Sequence, residues 1–188
     1  LGSEFELLAD ELRPYFAGDP RGRPGVGSGE FEVAGSRMRI LRPLLAWLGW
    51  RAILFPEYAR DVPFDVVNTP AADGSLDATR TFHFAGRDRA LVDTMRVVDG
   101  RLHDFLGTRR GLEARIALSV EGGQLRMRSD RLSLHLLGAR IRLPRLATVS
   151  IPESWVDGRQ HVDVRLRSPV IGEWFRYTGA FSYRFEAR

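Results

Sequence analysis

Two residue types are absent from this 188-residue chain, cysteine and lysine. Without cysteine there is no disulfide, no thiolate metal ligand and no thiol nucleophile, and the redox compartment leaves no mark on the sequence. Without lysine no side-chain amine is present for Schiff-base chemistry. All the positive charge is therefore arginine, 28 residues against 24 Asp and Glu, for a net charge of +4. These arginines are spread along the chain and interleaved with acids, the pattern of solvated strand faces, so nucleic acid is not an expected partner. Long apolar runs are missing as well. The most apolar stretch, residues 43–50, falls far short of the ~20 residues that span a bilayer as a helix, and Arg37, Arg39, Arg42 and Arg51 flank it. No transmembrane segment and no signal peptide is visible, and a cytoplasmic location is expected.

The usual signatures of metal and cofactor chemistry are also lacking. His83, His103, His135 and His161 fall on polar positions of alternating patterns, and no pair has metal-ligand spacing. Residues 25–29 are glycine-rich but lack the Lys-Ser/Thr of a phosphate loop, and no Gly-x-Ser-x-Gly elbow is present. Neither a metal nor a cofactor is expected.

What the chain does have is alternation with period two. Leu112, Ala114, Ile116, Leu118 and Val120 interleave with Glu113, Arg115, Ala117 and Ser119. The pattern returns at Leu125 and Met127, at Leu132, Leu134 and Leu136, at Ile141 and Leu143, and at Val162, Val164 and Leu166. Each series predicts a strand with one face on an apolar interior and the other, rich in arginine, in water. Further strands are predicted over residues 29–34, 62–69, 76–84, 90–98, 101–106 and 173–185. Asp73-Gly74, Asp99-Gly100, Gly122-Gly123 and Asp157-Gly158 read as hairpin turns, since they supply the positive φ that tight reversals require. Eight to ten strands in series curl, so the expected fold is mainly β: a curled antiparallel sheet, barrel or half-barrel, gripping a helical segment. Residues 1–5 resemble a cloning scar, and residues 6–188 read as a single barrel-like domain.

Two helical segments are expected. Phe5, Leu8, Leu12 and Phe16 have near-helical spacing, with Pro14 ending or bending a short N-terminal helix. Residues 19–29 read as an exposed loop. Ser36 is a candidate N-cap for a second helix with a Leu41, Leu44, Leu45, Leu48 stripe, Gly49 as C-terminal signal, and either a start or a kink at Pro43. Trp47, Trp50, Ile53, Leu54 and Phe55 extend its apolar character almost all round, which predicts burial against the sheet in preference to a lid over its mouth.

Strand parity predicts what points inward. If Asp99-Gly100 is a two-residue turn, Met95 faces Asp104 and Asp93 faces Leu106, so both carboxylates fall among apolar neighbours. On the preceding strand, Arg80 shares its parity with Phe82 and Phe84. With Phe84 opposite Leu91, Arg80 stands opposite Met95, diagonal to Asp93 and in the row of Asp104. Arg80, Asp93 and Asp104 are thus the candidate catalytic set, with a structural ion network as the competing role. In the last strand Phe175, Tyr177, Phe181 and Tyr183 share one parity, and Gly179 leaves a gap among them that invites a ligand or a packed helix. Phe82, Phe84, Met95, Trp47, Phe175, Tyr177, Phe181 and Tyr183 are the candidate ligand contacts.

Several segments carry a resemblance. Phe55-Pro56, Asp61-Val62-Pro63, Arg80-Thr81-Phe82, the run from Leu102 through Asp104 to Gly107, Arg142-Leu143-Pro144, Pro169 with Gly172, and Tyr177-Thr178-Gly179 resemble domain-of-unknown-function family 4166. That family occurs in bacteria, alone or joined to dehydrogenase-like or membrane segments. The resemblance implies an arginine at Arg80 and an acid at Asp104; it lends Asp93 no support and implies no reaction. Three functions are therefore expected in turn: binding of a lipid-like or polyketide-like molecule in an apolar cavity, a cofactor-independent cyclase or isomerase in the same cavity, or docking of the apolar helix on a membrane or partner. A homodimer or a fused enzyme is the expected macromolecular partner.

Overall fold

The computed structural model describes residues 6–13, 15, 18–19, 21–136, 139–143 and 148–186. Eleven strands follow one another: β1 (Gly25–Gly35), β2 (Tyr58–Pro70), β3 (Leu76–Phe84), β4 (Arg87–Val98), β5 (Arg101–Leu106), β6 (Leu112–Glu121), β7 (Gln124–Leu136), β8 (Ala139–Arg142), β9 (Thr148–Val156), β10 (Arg159–Ser168) and β11 (Gly172–Phe185). One short helix, α1 (Arg42–Trp50), lies between β1 and β2 and follows a 3-10 turn at Arg39–Leu41.

The ring runs β6-β5-β4-β3-β2-β1-β11-β10-β9-β7, and a β6–β7 ladder closes it, giving an antiparallel barrel of 10 strands. β8 stands outside the ring as a hairpin on the second half of β7, Leu134 opposite Ile141, while the first half of β7 pairs with β9. Closure leaves no long sheet edge inside the ring. The parity change between Leu125/Met127 and Leu132/Leu134 is explained by a bulge: Arg115 pairs with Arg131 but Ile116 with Ser129, so β7 carries one extra residue there. The β9–β10 ladder has no partner for Pro152, which has no N–H to contribute. Outer positions such as Arg115, Arg126, Arg165 and Arg167 place ion-paired charge on the outer wall.

The turns Asp99-Gly100, Gly122-Gly123 and Asp157-Gly158 have both residues at positive φ, as two-residue hairpins need. Asp73-Gly74 instead belongs to a five-residue loop, closed by Ala71 N–H on the Ser75 carbonyl. β1 starts at Gly25, so residues 25–29 are strand and not exposed loop. The glycines there let β11 approach closely; a Cβ on Gly29 would lie 2.2 Å from the Ala180 carbonyl oxygen.

Each end of the barrel is plugged. At one end Leu8 and Leu12 are fully buried against Leu125, Met127 and Ala114, and Ala9 N–H bonds the Gly123 carbonyl. The described residues 6–12 form a 3-10 turn and further turns, Arg13 and Tyr15 are helical, and Phe5, Pro14 and Phe16, on which the rest of the expected helix falls, lie outside the described residues, as do residues 1–5 and Pro144. At the other end sits α1. It begins with Pro43 in its first turn, and Ser36 does not cap it: its Oγ accepts from Met38 N–H. Its end is a Schellman closure in which Ile53 N–H bonds the Leu48 carbonyl and Ala52 N–H the Gly49 carbonyl. The left-handed position is Ala52, φ 56°, and not Gly49. Leu45 is buried, Leu41 and Leu48 pack on the core, and Leu54 and Phe55 fill the barrel mouth. The expectation of all-round burial is corrected: Leu44 (49% exposed), Trp47 (48%) and Trp50 (69%) face outward. α1 is the lid, with apolar residues on both faces.

Candidate functional site

The β2–β3–β11 side of the barrel is packed solid with aromatic rings. Phe31 meets Phe64 at 4.5 Å between centroids, and Phe55 meets Phe82 at 4.9 Å and Phe175 at 5.0 Å. The gap expected at Gly179 is filled from within, since a Cβ there would lie 2.8 Å from Phe31 Cγ. Across the barrel most side chains are aliphatic, and the space left between them and the aromatic wall is bordered on that side by Phe31, Phe64, Tyr177 and Phe181. A cavity of about 180 Å³ remains, lined by Leu91, Met95, Ala114, Ile116, Met127 and Val164 among others, under Leu48, Ile53 and Leu54 of the lid segment. That is more than ten times the ~15 Å³ of free room that one buried water needs.

Arg80, Asp93 and Asp104 all line this cavity. The β4–β5 register is as expected, Met95 opposite Asp104 and Asp93 opposite Leu106. The β3–β4 register is not: a two-residue turn pairs Phe84 with Arg87, so Arg80 stands opposite Leu91 and not Met95, and it leaves the row of Asp104. The shift is an even number of residues, which preserves the face, so Arg80 remains diagonal to Asp93. The Arg80 guanidinium donates to Asp93 Oδ1 in a charge-paired contact. Burial works against the charge on Arg80, and Asp93 together with Tyr15, Tyr177 and Asp104 outweighs it, so the guanidinium is held well above its ordinary pKa.

Asp93 and Asp104 are 3% and 8% exposed. Burial raises the pKa of Asp93, against the pull of Arg80. Burial raises Asp104 well above the ordinary carboxylate range, and the Asp93 charge beside it adds to the effect. Asp93 and Asp104 stand close enough for each to shift the other's titration, and two buried carboxyls beside a single guanidinium favour a form in which one of them keeps its proton. The resulting species is a neutral Asp104 beside an ionised, arginine-bound Asp93. Asp93 Oδ2 and Asp104 Oδ1 have no donor from another residue among the described residues.

Three polar groups were not anticipated from the sequence. Glu153 on β9 lines the cavity, 4% exposed. It accepts from Gln160 Nε2 at 2.6 Å, and burial pushes its carboxyl up to about 7. Val149, Ile151, Glu153 and Trp155 share one parity, a signal interrupted by Pro152. Asn68 continues the inward stripe of Val62, Phe64 and Val66 and donates to Tyr183 Oη at 3.4 Å. Tyr15 enters from the N-terminal plug, its ring 4.7 Å from that of Tyr183, and burial pushes its hydroxyl up to about 12.

Of the expected ligand contacts, Met95, Tyr177 and Phe181 line the cavity. Phe82, Phe84 and Phe175 belong to the aromatic core behind it, Tyr183 packs against Tyr15 at the cavity's margin, and Trp47 lies on the outer face of the lid. Gly107, in the segment that carries Asp104, has φ +85° and would bring a Cβ to 2.7 Å from the Arg51 carbonyl oxygen. Its neighbour Thr108 donates to that same carbonyl and Val92 to that of Ala52, so the lid is tied to the strands that bear the two aspartates. Among the described residues no group of three or more His, Cys, Asp or Glu could hold a metal ion.

Residues 8–181 match the family described as Domain of unknown function (DUF4166). No curated protein and no solved structure matches the chain. With the family match extending over nearly the whole sequence, the protein belongs to the DUF4166 family.

Proposed function

We propose that the barrel binds one hydrophobic small molecule, lipid-like or polyketide-like, with its polar end against Arg80, Asp93 and Asp104. The supporting observation is the cavity inside the barrel, apolar over most of its wall with Arg80, Asp93 and Asp104 gathered at one place. Small-molecule sites commonly combine a largely apolar wall with a few convergent polar groups. A guest carbonyl or enolate would meet the Arg80 guanidinium, and a guest hydroxyl would meet the carboxyl pair. The site needs no cofactor for this role, and a cytoplasmic protein is the setting that fits the charged outer wall.

A second reading, a cofactor-independent cyclase or isomerase, is favoured by one specific feature, the placement of two buried carboxyls, Asp93 and Asp104, beside Arg80 on the cavity wall. A neutral acid and a carboxylate side by side form an acid–base pair, with Arg80 placed to stabilise developing negative charge. The cavity would then also fold a flexible substrate.

Fluorescence titration with cis-parinaric acid tests the first reading. The wild type is expected to bind one probe per chain, and Ala114→Phe, which fills the cavity, to bind at least tenfold more weakly while remaining folded. Equal binding by both proteins, or none by either, rejects the cavity as the site. Incubating a bound guest with wild type and Asp104→Asn separates the two readings: a change in the guest's mass or retention time with wild type alone supports the enzyme.

A further inference from the structure

The outer face of α1 plays no part in the cavity. Ile40 (86% exposed), Leu44, Trp47 and Trp50 form an apolar strip along it. The antiparallel order places the β10–β11 turn at the same end of the barrel, and it adds Val170 (88% exposed) and Ile171 (45%). Large apolar groups thus crowd one end.

The charge around the strip has one sign. Residues 36–56 contain Arg37, Arg39, Arg42 and Arg51 and no acid. Arg51 Cζ lies 5.2 Å from the Trp47 ring and 5.3 Å from that of Trp50, and Arg109 from the β5–β6 turn approaches Trp50 at 5.8 Å. Three acids near this end are already engaged, Glu57 with Arg87 and Arg89, Asp88 with His83, and Glu173 with Arg165, Arg167 and Arg176, while Glu32 lines a separate groove with Arg37 and Met38. Arg110 turns away to Asp77. An exposed apolar strip edged by tryptophan and by arginines that make no ion pair among the described residues matches the headgroup boundary of a bilayer, where indole rings concentrate and cations meet anionic lipid. A second copy of the chain is the poorer occupant, because an isologous contact would set these arginines against each other.

We propose that this end of the barrel docks on an anionic phospholipid membrane, with α1 lying in the interface plane. The inference goes beyond the cavity reading and stands on the outer surface alone. It would also place the cover of an apolar cavity against a reservoir of apolar molecules.

Vesicle flotation tests it, using phosphatidylcholine with or without 30% phosphatidylglycerol at low and high salt. The full chain is expected to float with the anionic vesicles and to lose at least tenfold in affinity on neutral vesicles or at high salt. Trp47→Ala with Trp50→Ala, and separately Arg39→Glu with Arg42→Glu, should each lose at least tenfold while keeping the wild-type circular dichroism and parinaric acid binding. Brominated lipid should quench wild-type tryptophan emission and leave the Trp47/Trp50 double variant unquenched. Absence of vesicle binding, or binding that neither pair of substitutions weakens, overturns the proposal. A dimer that Trp50→Ala dissociates, without vesicle binding, assigns the face to a second copy and overturns it equally. Parinaric acid binding follows the cavity independently, so failure of one reading is distinguishable from failure of the other.

Discussion

Glu153 and the Asp93–Asp104 pair carry most of the unusual electrostatics, and single residues can separate their contributions. Glu153 titrates near 7 in the folded chain against an ordinary value of 4.5. Below both values each state holds the proton and stability does not change. Between them the unfolded chain releases a proton that the folded chain keeps, so stability falls as pH rises from about 4.5 to about 7 and then levels, a loss of about 3 kcal/mol. In Glu153→Gln the fall in stability between pH 5 and pH 8 should be smaller by about that amount, read by urea unfolding. An unchanged profile would show that Glu153 does not hold its proton in the fold. For the pair, Asp104→Asn replaces a neutral acid by a neutral amide and should alter stability by less than about 1 kcal/mol. Asp93→Asn strips Arg80 of its buried partner and should cost about 3–5 kcal/mol. Equal costs at pH 7 would contradict the assignment of the proton to Asp104. Arg80, Asp93 and Asp104 were legible in the sequence because each interrupts a clean apolar stripe whose parity the flanking turns fix. Glu153 escaped because Pro152 obscures its strand, and Tyr15 because it reaches the interior from a segment with no strand parity to read.

At the scale of elements, turn chemistry decided what could be read. Asp99-Gly100 fixed the β4–β5 pairing, and the structure keeps it. Setting Phe84 opposite Leu91 places Arg80 four residues out of register along β4, since the Ala85-Gly86 turn pairs Phe84 with Arg87, but an even shift leaves it on the correct face. α1 misled for a different reason: its apolar residues fall in two stripes, Leu41/Leu45/Leu48 inward and Ile40/Leu44/Trp47 outward, and periodicity alone does not say that both are apolar for different neighbours. The helix end is where its strain lies. Ala52 holds φ 56°, a conformation that costs a residue with a Cβ about 1 kcal/mol or more relative to glycine. Ala52→Gly should therefore raise stability by about 1 kcal/mol and the Tm by about 2–4 °C, measured by thermal unfolding. A lower Tm would mean that the Ala52 methyl contributes packing under the lid that outweighs its backbone strain.

The whole molecule is a closed wall with two different plugs. The parity of the strands anticipates the wall, and the number of strands expected, eight to ten, meets the ring of 10. Closure itself was not readable, since the β6–β7 ladder that completes the ring is an ordinary hairpin in sequence and gains its meaning from β7 also pairing with β9. Nor was the position of the free space. Strand parity says which faces meet inside the ring but not how completely they fill it: aromatic rings meet across one part of the barrel, while Tyr177 and Phe181 of the aromatic stripe border the cavity together with shorter aliphatic side chains. The central claim is that this space holds a guest. Native mass spectrometry of the protein purified from its own source tests it most directly. The account predicts a population heavier than the chain by one small molecule, displaced on adding parinaric acid and missing from Ala114→Phe. A chain of bare mass that takes up no added amphiphile would contradict it.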